Sequence, residues 1–217
     1  MPDPLGGRWD AAAAYDRIAA ARDRALGAPW PAVGRFLAGL PRGAVVLDVG
    51  VGNGRYAALA EAWGLRWLGV DISREQLRIA RLALPEGSGL ARADARRLPV
   101  RGEAADAALA IAVVHHLPAR GDRVAVLREV KRTLKPGGPW LASAWAETAG
   151  FARAGRPAPG GGSTDVVIPY HEGLPQPVDR FFHLYRGGEL TAEAEDAGLA
   201  VAGERLEQEN RFAEGRR

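Results

Sequence analysis

The sequence predicts an α/β fold built on a doubly wound, mostly parallel sheet of Rossmann-like type, with an insert after the fifth strand. Two observations predict it. Short apolar runs bounded by turn residues alternate with segments of helical spacing, and a glycine-rich turn follows the first of these runs. Continuous apolar runs are typical of buried parallel strands, and their alternation with helices is typical of a doubly wound sheet. The length of 217 residues fits a single domain.

The elements can be assigned in chain order. An alanine-rich helix at 11–25 and a second helix ending at Leu40 precede the first strand, with a break between them at 27–29. After them, apolar runs predict strands and helical spacing predicts helices. The assignment is strand 44–49, helix 55–63, strand 65–70, helix 74–84, strands 90–93 and 105–112, helix 120–134 and strand 140–146.

The pattern changes after the fifth strand. Residues 147–186 contain a triple glycine, five prolines and an aromatic cluster, which predicts a lid, a binding loop or a disordered segment. A helix at 188–197, a late strand at 199–206 and a short final strand follow, and the last three residues are expected to fray. The chain therefore divides into N-terminal helices, a ligand-binding core, a substrate-side insert and a C-terminal helix and strand, at 1–40, 41–146, 147–187 and 188–217.

Composition excludes several classes of protein. The absence of cysteine excludes a disulfide scaffold, a thiolate zinc site and a cysteine nucleophile, and we expect no metal site. Residues 1–10 lack a secretory signal and no apolar run is long enough to span a membrane, so we expect a cytoplasmic protein with no membrane contact. All but two of the 29 Lys and Arg residues are arginines and the net charge is +3, which permits a polyanionic partner. A GC-rich genome explains the arginines equally well.

The strongest local signal is the glycine-rich turn at 48–54, between a predicted strand and a predicted helix. Glycines let the backbone approach a ligand, and the helix that follows offers free N–H groups. Asp48 ahead of the glycines would repel a pyrophosphate but can accept from an ammonium group. Asp71 ends the second strand, where an acid usually binds a ribose hydroxyl, and Asp94 ends the third, where a carboxylate can accept from an adenine amino group. Each acid alone is explained equally well as a cap or loop residue. Together they predict S-adenosylmethionine as the ligand.

At these residues the chain resembles the class I S-adenosylmethionine-dependent methyltransferases. The resemblance covers roughly residues 45–206 and includes the turn at 135–138, Lys-Pro-Gly-Gly. It implies an enzyme whose cofactor is bound by residues at the ends of the first four strands, namely Asp48, Gly50, Gly52, Asn53, Asp71, Ile72, Asp94, Ala95 and Ala112.

Further segments narrow the resemblance. Six segments resemble, in order, those of the tRNA wobble-uridine methyltransferases, which convert 5-carboxymethyluridine to its methyl ester. The segments are 15–19, 29–31, 52–56, 113–117, 165–170 and 180–185. The resemblance implies tRNA as a partner and a small zinc-binding activator subunit that adds to the sheet edge. Only Trp67 and Leu68 in the second strand hint at such a subunit, and core packing explains them equally well.

The implied chemistry suits particular residue types. A carboxylate is ionised at neutral pH, since its reference pKa is about 4, so it needs no strong general base. The catalytic candidates are Arg180, which can bind the carboxylate as a fork, and His115 and His183, which can each donate one hydrogen bond. Either histidine can instead be structural. We expect structural or rim positions for His116 and His171, and core positions for Phe181, Phe182 and Tyr185.

Contact with RNA requires a basic track near the crevice. Candidate track residues are Arg92, Arg96, Arg97, Arg101, Arg153 and Arg156; a solvated surface explains them as well. Two other functions stay open. In one, the insert closes over a metabolite and the enzyme is a small-molecule methyltransferase. In the other, the protein is a non-enzymatic RNA-binding scaffold, against which the intact glycine turn and acids argue.

Overall fold

The structure, a computed structural model, describes residues 9–25 and 28–217. The predicted lack of a secretory signal therefore falls largely outside the described residues, as does Gly27 of the predicted break. The helices are α1 (Ala11–Ala25), α2 (Pro31–Ala38), α3 (Ala57–Ala62), α4 (Arg74–Ala83), α5 (Arg120–Thr133), α6 (Ala149–Ala154) and α7 (Glu189–Asp196). The strands are β1 (Val45–Val49), β2 (Arg66–Asp71), β3 (Gly89–Arg92), β4 (Ala107–Ile111), β5 (Pro139–Trp145), β6 (Arg156–Pro157), β7 (Asp165–Tyr170), β8 (Val178–His183), β9 (Ala200–Glu207) and β10 (Asn210–Arg216).

A seven-stranded sheet in the order β3-β2-β1-β4-β5-β10-β9 forms the centre of the fold. The first five strands pair in parallel, and β10 runs antiparallel to both β5 and β9. This confirms the predicted doubly wound sheet. The strand order reverses between β1 and β4, and ligands bind at the carboxyl ends of the strands at such a point.

Helices cover both faces of the sheet, which explains the continuous apolar runs. Along β1, Val46 packs on one face with Leu37 and Trp67, whereas Leu47 belongs to the cluster on the other face. Trp67 is buried in the cluster that contains Val46, and Leu68 packs against the cluster on the other face, so these two side chains do not form one exposed surface for a partner. Within the described ranges, no helix is long and apolar enough to cross a membrane.

The insert is more regular than predicted. It contains α6 and a three-stranded antiparallel sheet in the order β6-β7-β8. Trp145 stacks between Phe151 and Phe182, at centroid distances of 4.1 and 4.2 Å, so the aromatic cluster joins the insert to the main sheet. The expected loss of regular structure in this insert was wrong, because prolines at strand positions hid the β pattern.

The C-terminus is also ordered, contrary to the expected fraying. β10 pairs with β5 over seven residues, and the Arg217 backbone N–H donates to the Gly138 carbonyl at 3.0 Å. The hairpin between β9 and β10 turns at Gln208 and Glu209, both at positive φ. Neither residue is a typical choice for such a turn, so no local pattern predicted the hairpin.

Candidate active site

A large cavity opens at the carboxyl ends of β1, β2, β3 and β4. Its volume is about 1410 Å³. Eight of the nine predicted cofactor-binding residues line it: Gly50, Gly52, Asn53, Asp71, Ile72, Asp94, Ala95 and Ala112. Asp48 does not reach the wall, because it is buried at the end of β1.

The glycine turn brings the backbone to the cavity wall. Gly50 and Gly52 have φ values of 73° and 55°, in the left-handed region that side chains disfavour. A Cβ on Gly50 would come within 2.3 Å of Val113 Cγ2, so no other residue fits there without a shift. At Gly52 the nearest atom to such a Cβ is 3.8 Å away, so this part of the wall is open to a ligand.

Asp71 is held by the turn it faces. Its Oδ2 accepts the Gly52 N–H at 2.8 Å and its Oδ1 accepts the Ser73 N–H at 2.9 Å. Burial raises the pKa of Asp71. Each oxygen keeps a further lone pair, so the carboxylate can also accept from two neighbouring hydroxyl groups of a ligand.

The Asp94 carboxylate forms an ion pair with Arg96. Arg96 donates its backbone N–H and its guanidinium to the Asp94 carboxylate, and its Nη1 reaches Asp122 at 2.9 Å. Burial opposes ionisation of Asp94, but the hydrogen bonds from Arg96 outweigh it and lower the pKa. Because exposed ion pairs contribute little stability, a ligand can share this carboxylate. Arg96 is therefore paired, and not a free member of the predicted basic track.

The buried Asp48 carboxyl has a strongly raised pKa. Burial, together with the charge of Asp71, raises the pKa of Asp48 to about 8. At neutral pH this group is therefore largely protonated. A cation bound nearby would favour its ionised form.

Ala112 marks backbone strain at the end of β4. Its φ of 58° is in the left-handed region, which costs a non-glycine residue on the order of 1–3 kcal/mol. The Ala112 N–H is held by the Ser143 carbonyl at 3.0 Å. This bend turns the chain into the short 3₁₀ helix at Val114–His116, so that His115 and His116 both line the cavity.

His115 is a neutral hydrogen-bond donor. Its Nδ1 accepts the Trp145 backbone N–H at 2.9 Å, so the proton of the neutral ring resides on Nε2. Burial, and then the positive charges around it, lower the pKa of His115 well below its usual value. The residue therefore offers one N–H group and no charge at neutral pH.

His116 ties α1 to the cavity. Its Nδ1 lies 3.1 Å from the Phe181 carbonyl and its Nε2 lies 2.8 Å from the Tyr15 hydroxyl. Since a carbonyl only accepts, Nδ1 carries the proton and Nε2 accepts from Tyr15. Burial lowers the pKa of His116 to about 3. His116 thus positions Tyr15, a residue of α1 that sequence reasoning did not select as a site residue.

Arg180 is a buried cation whose Nε has no hydrogen-bond partner among the described residues. It is 7% exposed, and its guanidinium lies 5.2 Å from the Tyr170 ring and 5.0 Å from the Phe182 ring. Burial lowers its pKa, and the nearby charge of Arg22 acts in the same direction. Buried charges normally pair with an opposite charge, so this arrangement favours an anionic ligand.

A second cavity, of about 490 Å³, adjoins the first. Arg180 lines the second cavity only. The residues common to both walls are Trp9, Asp10, Ala11, Tyr15 and His116. We call the space between these shared residues the junction.

His183 does not reach either cavity. Its Nδ1 lies 2.6 Å from Asp165 and its Nε2 lies 2.7 Å from Glu189. Burial opposes the charged ring, but the hydrogen bonds that the ring donates to the Asp165 and Glu189 carboxylates outweigh it and raise the pKa of His183. The geometry makes His183 a link between the insert and α7.

The remaining predicted residues divide between core and surface. Phe182 lines the first cavity and Phe181 the second, whereas Tyr185 is fully buried and donates to Glu193 at 2.8 Å. His171 is exposed. Of the arginines in the predicted track, Arg156 pairs with Asp179, and Arg92 donates to the Ile72 carbonyl at 3.0 Å.

Two further arginines line the first cavity without having been selected from the sequence. Arg55 follows the glycine turn, and its buried Nε has no partner in the described part of the chain. Arg22 lies on α1, 5.7 Å from the Tyr15 ring. Arg55 belongs to a segment that carried the family resemblance, so the sequence contained an indication that this residue belongs to the site. No feature of the sequence indicated Arg22, because only the packing of α1 across the cavity brings it there.

Comparison with known proteins agrees with this geometry. A family model for a methyltransferase domain matches residues 47–142. The tRNA (carboxymethyluridine(34)-5-O)-methyltransferase of Arabidopsis thaliana is 41% identical over 132 residues, covering 61% of this chain and 31% of that protein. The protein of the same name from Schizosaccharomyces pombe is 30% identical over 215 residues, covering 90% of this chain and 91% of that protein. A solved complex of a putative Haloferax volcanii methyltransferase with the Trm112 methyltransferase activator has a TM-score of 0.70 at 19% identity, covering 94% and 96% of the two chains.

The strand order, the glycine turn and the acids that end β2 and β3 define a class I S-adenosylmethionine-dependent methyltransferase. This class was expected from the sequence and is confirmed. Within it, the chain belongs to the family that includes the Arabidopsis and fission-yeast tRNA (carboxymethyluridine(34)-5-O)-methyltransferases. It spans less than a third of the Arabidopsis relative but nearly the full length of the yeast one.

Proposed function

We propose that this enzyme methylates the carboxylate of 5-carboxymethyluridine in tRNA, forming the methyl ester. The observation that carries the proposal is Arg180, a buried cation next to the junction, with an unpartnered Nε among the described residues. A guanidinium fork can bind a carboxylate through two parallel hydrogen bonds. The relatives named for this reaction support the same acceptor.

The first cavity suits the cofactor. Asp71 would accept from the ribose hydroxyls, Asp94 from the adenine amino group, and the open wall at Gly52 would receive the methionine end. Arg55, with its unpartnered buried Nε, would pair with the cofactor carboxylate. When bound, S-adenosylmethionine supplies an electrophilic methyl group on a sulfonium.

The protein's own groups hold the acceptor without a proton transfer. The carboxylate is already ionised, so no residue has to act as general base. Arg180 binds it, His115 donates from Nε2, and Tyr15 is fixed beside them by His116. His115 and His116 stay neutral because their pKa values are lowered. Neither therefore competes with Arg180 for the negative charge of the substrate carboxylate. Alignment of this kind can lower a barrier by roughly 7–11 kcal/mol.

Two partners belong to the proposal. Exposed arginines such as Arg97 and Arg153 would contact tRNA phosphates. A Trm112-type activator would add to the free edge of the sheet at β3, beside Leu82, which is 82% exposed on α4. The Haloferax complex supports an activator of this kind.

Methyl transfer tests the acceptor directly. The enzyme, with a Trm112-type activator, is given radiolabelled cofactor and either tRNA bearing 5-carboxymethyluridine or the same tRNA with uridine at that position. We expect label only in the first tRNA. Label in neither tRNA, with transfer instead to a small carboxylic acid, would assign the enzyme to small-molecule methylation.

A further inference from the structure

The second cavity is a separate compartment on the substrate side. It lies between α1 and β8 and is lined by Ala13, Arg17 and Val178, none of which borders the first cavity. Its volume of about 490 Å³ falls within the range of about 300–1,000 Å³ for ligand pockets. The much larger first cavity already accommodates the cofactor, so the second is available to another molecule.

The buried polar atoms on its wall are unpaired donors. Trp9 Nε1 and Arg180 Nε have no hydrogen-bond partner among residues 9–25 and 28–217. Both groups donate and cannot accept. A ligand that satisfies them must present acceptor oxygens, as a carboxylate and a base carbonyl do.

The wall and the rim also match a nucleotide. The Trp9 and Phe181 rings, 6.1 Å apart, both border the cavity, and aromatic rings are the surface on which unstacked bases bind. Arg17 is exposed at the rim, and arginine at such a position can contact a phosphate. A planar, carbonyl-bearing ring attached to a phosphate meets all of these features.

We infer that the second cavity binds the extruded pyrimidine nucleotide, with its base against Trp9 and its 5-substituent directed at the junction, so that the carboxylate lies between Arg180 in the second cavity and the first cavity. Because Arg180 borders only the second cavity, a substrate whose carboxylate pairs with Arg180 must occupy part of that cavity. Enzymes that act on a base commonly take it out of the stack and read it by stacking and hydrogen bonds in this way. The identity of the base rests on the proposed function; the compartment does not.

Variants on α1 can fill the cavity without removing a contact. Ala13 is exposed and borders only the second cavity, whereas Ala20 is exposed on the same helix and borders neither. Ala13→Trp and Ala20→Trp are therefore a matched pair. Trp9→Phe adds a test of the N–H group, because it keeps the aromatic face.

Calorimetric titration with 5-carboxymethyluridine 5′-monophosphate, at saturating S-adenosylhomocysteine, measures occupancy. We expect Ala13→Trp to weaken nucleotide binding at least tenfold and Trp9→Phe to weaken it about threefold to tenfold. Ala20→Trp should bind the nucleotide like the wild type, and Ala13→Trp and Ala20→Trp, whose positions do not border the first cavity, should both bind S-adenosylhomocysteine normally. Equal nucleotide affinity in Ala13→Trp and Ala20→Trp would overturn the inference.

The two proposals fail in different ways. If the nucleotide binds and Ala13→Trp blocks its binding, but tRNA is not methylated, the proposed function is wrong and nucleotide binding in the second cavity is retained. If Ala13→Trp methylates tRNA with an unchanged KM, nucleotide binding in the second cavity is refuted and the proposed function is retained.

Discussion

The Gly52 N–H lies 2.8 Å from Oδ2 of Asp71, so the glycine turn after β1 and the acid at the end of β2 form one unit. The same acid accepts from Ser73 on its other oxygen. The shape of the turn and the position of the carboxylate therefore depend on each other. Cofactor binding should be sensitive to the charge of Asp71 and not only to its size.

Asp71→Asn tests this dependence. An amide offers one acceptor oxygen where the carboxylate offers two, so one backbone N–H loses its partner and the ribose loses a charged acceptor. We expect the Kd for S-adenosylmethionine to rise about 10–100-fold, as for loss of a hydrogen bond to a charged group of about 1.5–3 kcal/mol. Titration calorimetry measures it, with Asp196→Asn, an exposed acid paired with Arg120, as the control. Equal affinities in the two variants would refute the role of Asp71.

Arg180→Lys tests the carboxylate site. Lysine keeps the charge but cannot form the bidentate fork. We expect kcat with tRNA to fall about tenfold, and about 100-fold in Arg180→Ala, while the Kd for the cofactor stays unchanged because Arg180 does not border the first cavity. Arg120→Ala, on the exposed face of α5, serves as control. A wild-type kcat in Arg180→Ala would remove this residue from the mechanism.

Tyr15→Phe tests the link between α1 and the cavity. The variant loses the hydrogen bond to His116, so the free energy of unfolding should fall by about 0.5–1.5 kcal/mol. Tyr170→Phe is the comparison, because the buried Tyr170 hydroxyl has no partner among the described residues and its removal should cost little. Urea denaturation measures both. A larger loss in Tyr170→Phe than in Tyr15→Phe would contradict this account.

Protonation of His183 should make the free energy of unfolding depend on pH. Its pKa is raised in the folded protein because Asp165 and Glu189 favour the charged ring. The stabilisation that the charged His183 ring contributes to the folded protein is therefore complete below the pKa of about 6.5 that the ring has in the unfolded chain. It is lost as the pH rises through the raised pKa of the folded protein. We expect His183→Gln to lower the free energy of unfolding by about 1.5–3 kcal/mol at pH 6 and by less at pH 9. A difference that grows with pH would show that the ring is neutral in the folded state.

The sequence predicted the part of the site that follows from local pattern. Apolar runs marked β1 to β5, and an acid at the end of a strand is visible in the sequence, so Asp71 and Asp94 were found at the cavity. The contribution of Arg22 depends on how α1 packs across the sheet, which no local pattern encodes, whereas Tyr15 belongs to segment 15–19, which carried the family resemblance but did not itself indicate a contact with His116. His183 was misjudged as a substrate contact for the same reason: its partners Asp165 and Glu189 lie on separate elements.

The position and chemistry of the transferred methyl group distinguish methylation of a carboxylate from methylation of a base or a ribose. tRNA bearing 5-carboxymethyluridine is incubated with the enzyme, a Trm112-type activator and cofactor carrying a deuterated methyl group, and its nucleosides are analysed by mass spectrometry before and after mild alkali. We expect the label on 5-carboxymethyluridine as an ester that alkali removes. An alkali-stable label on a base or a ribose would contradict it.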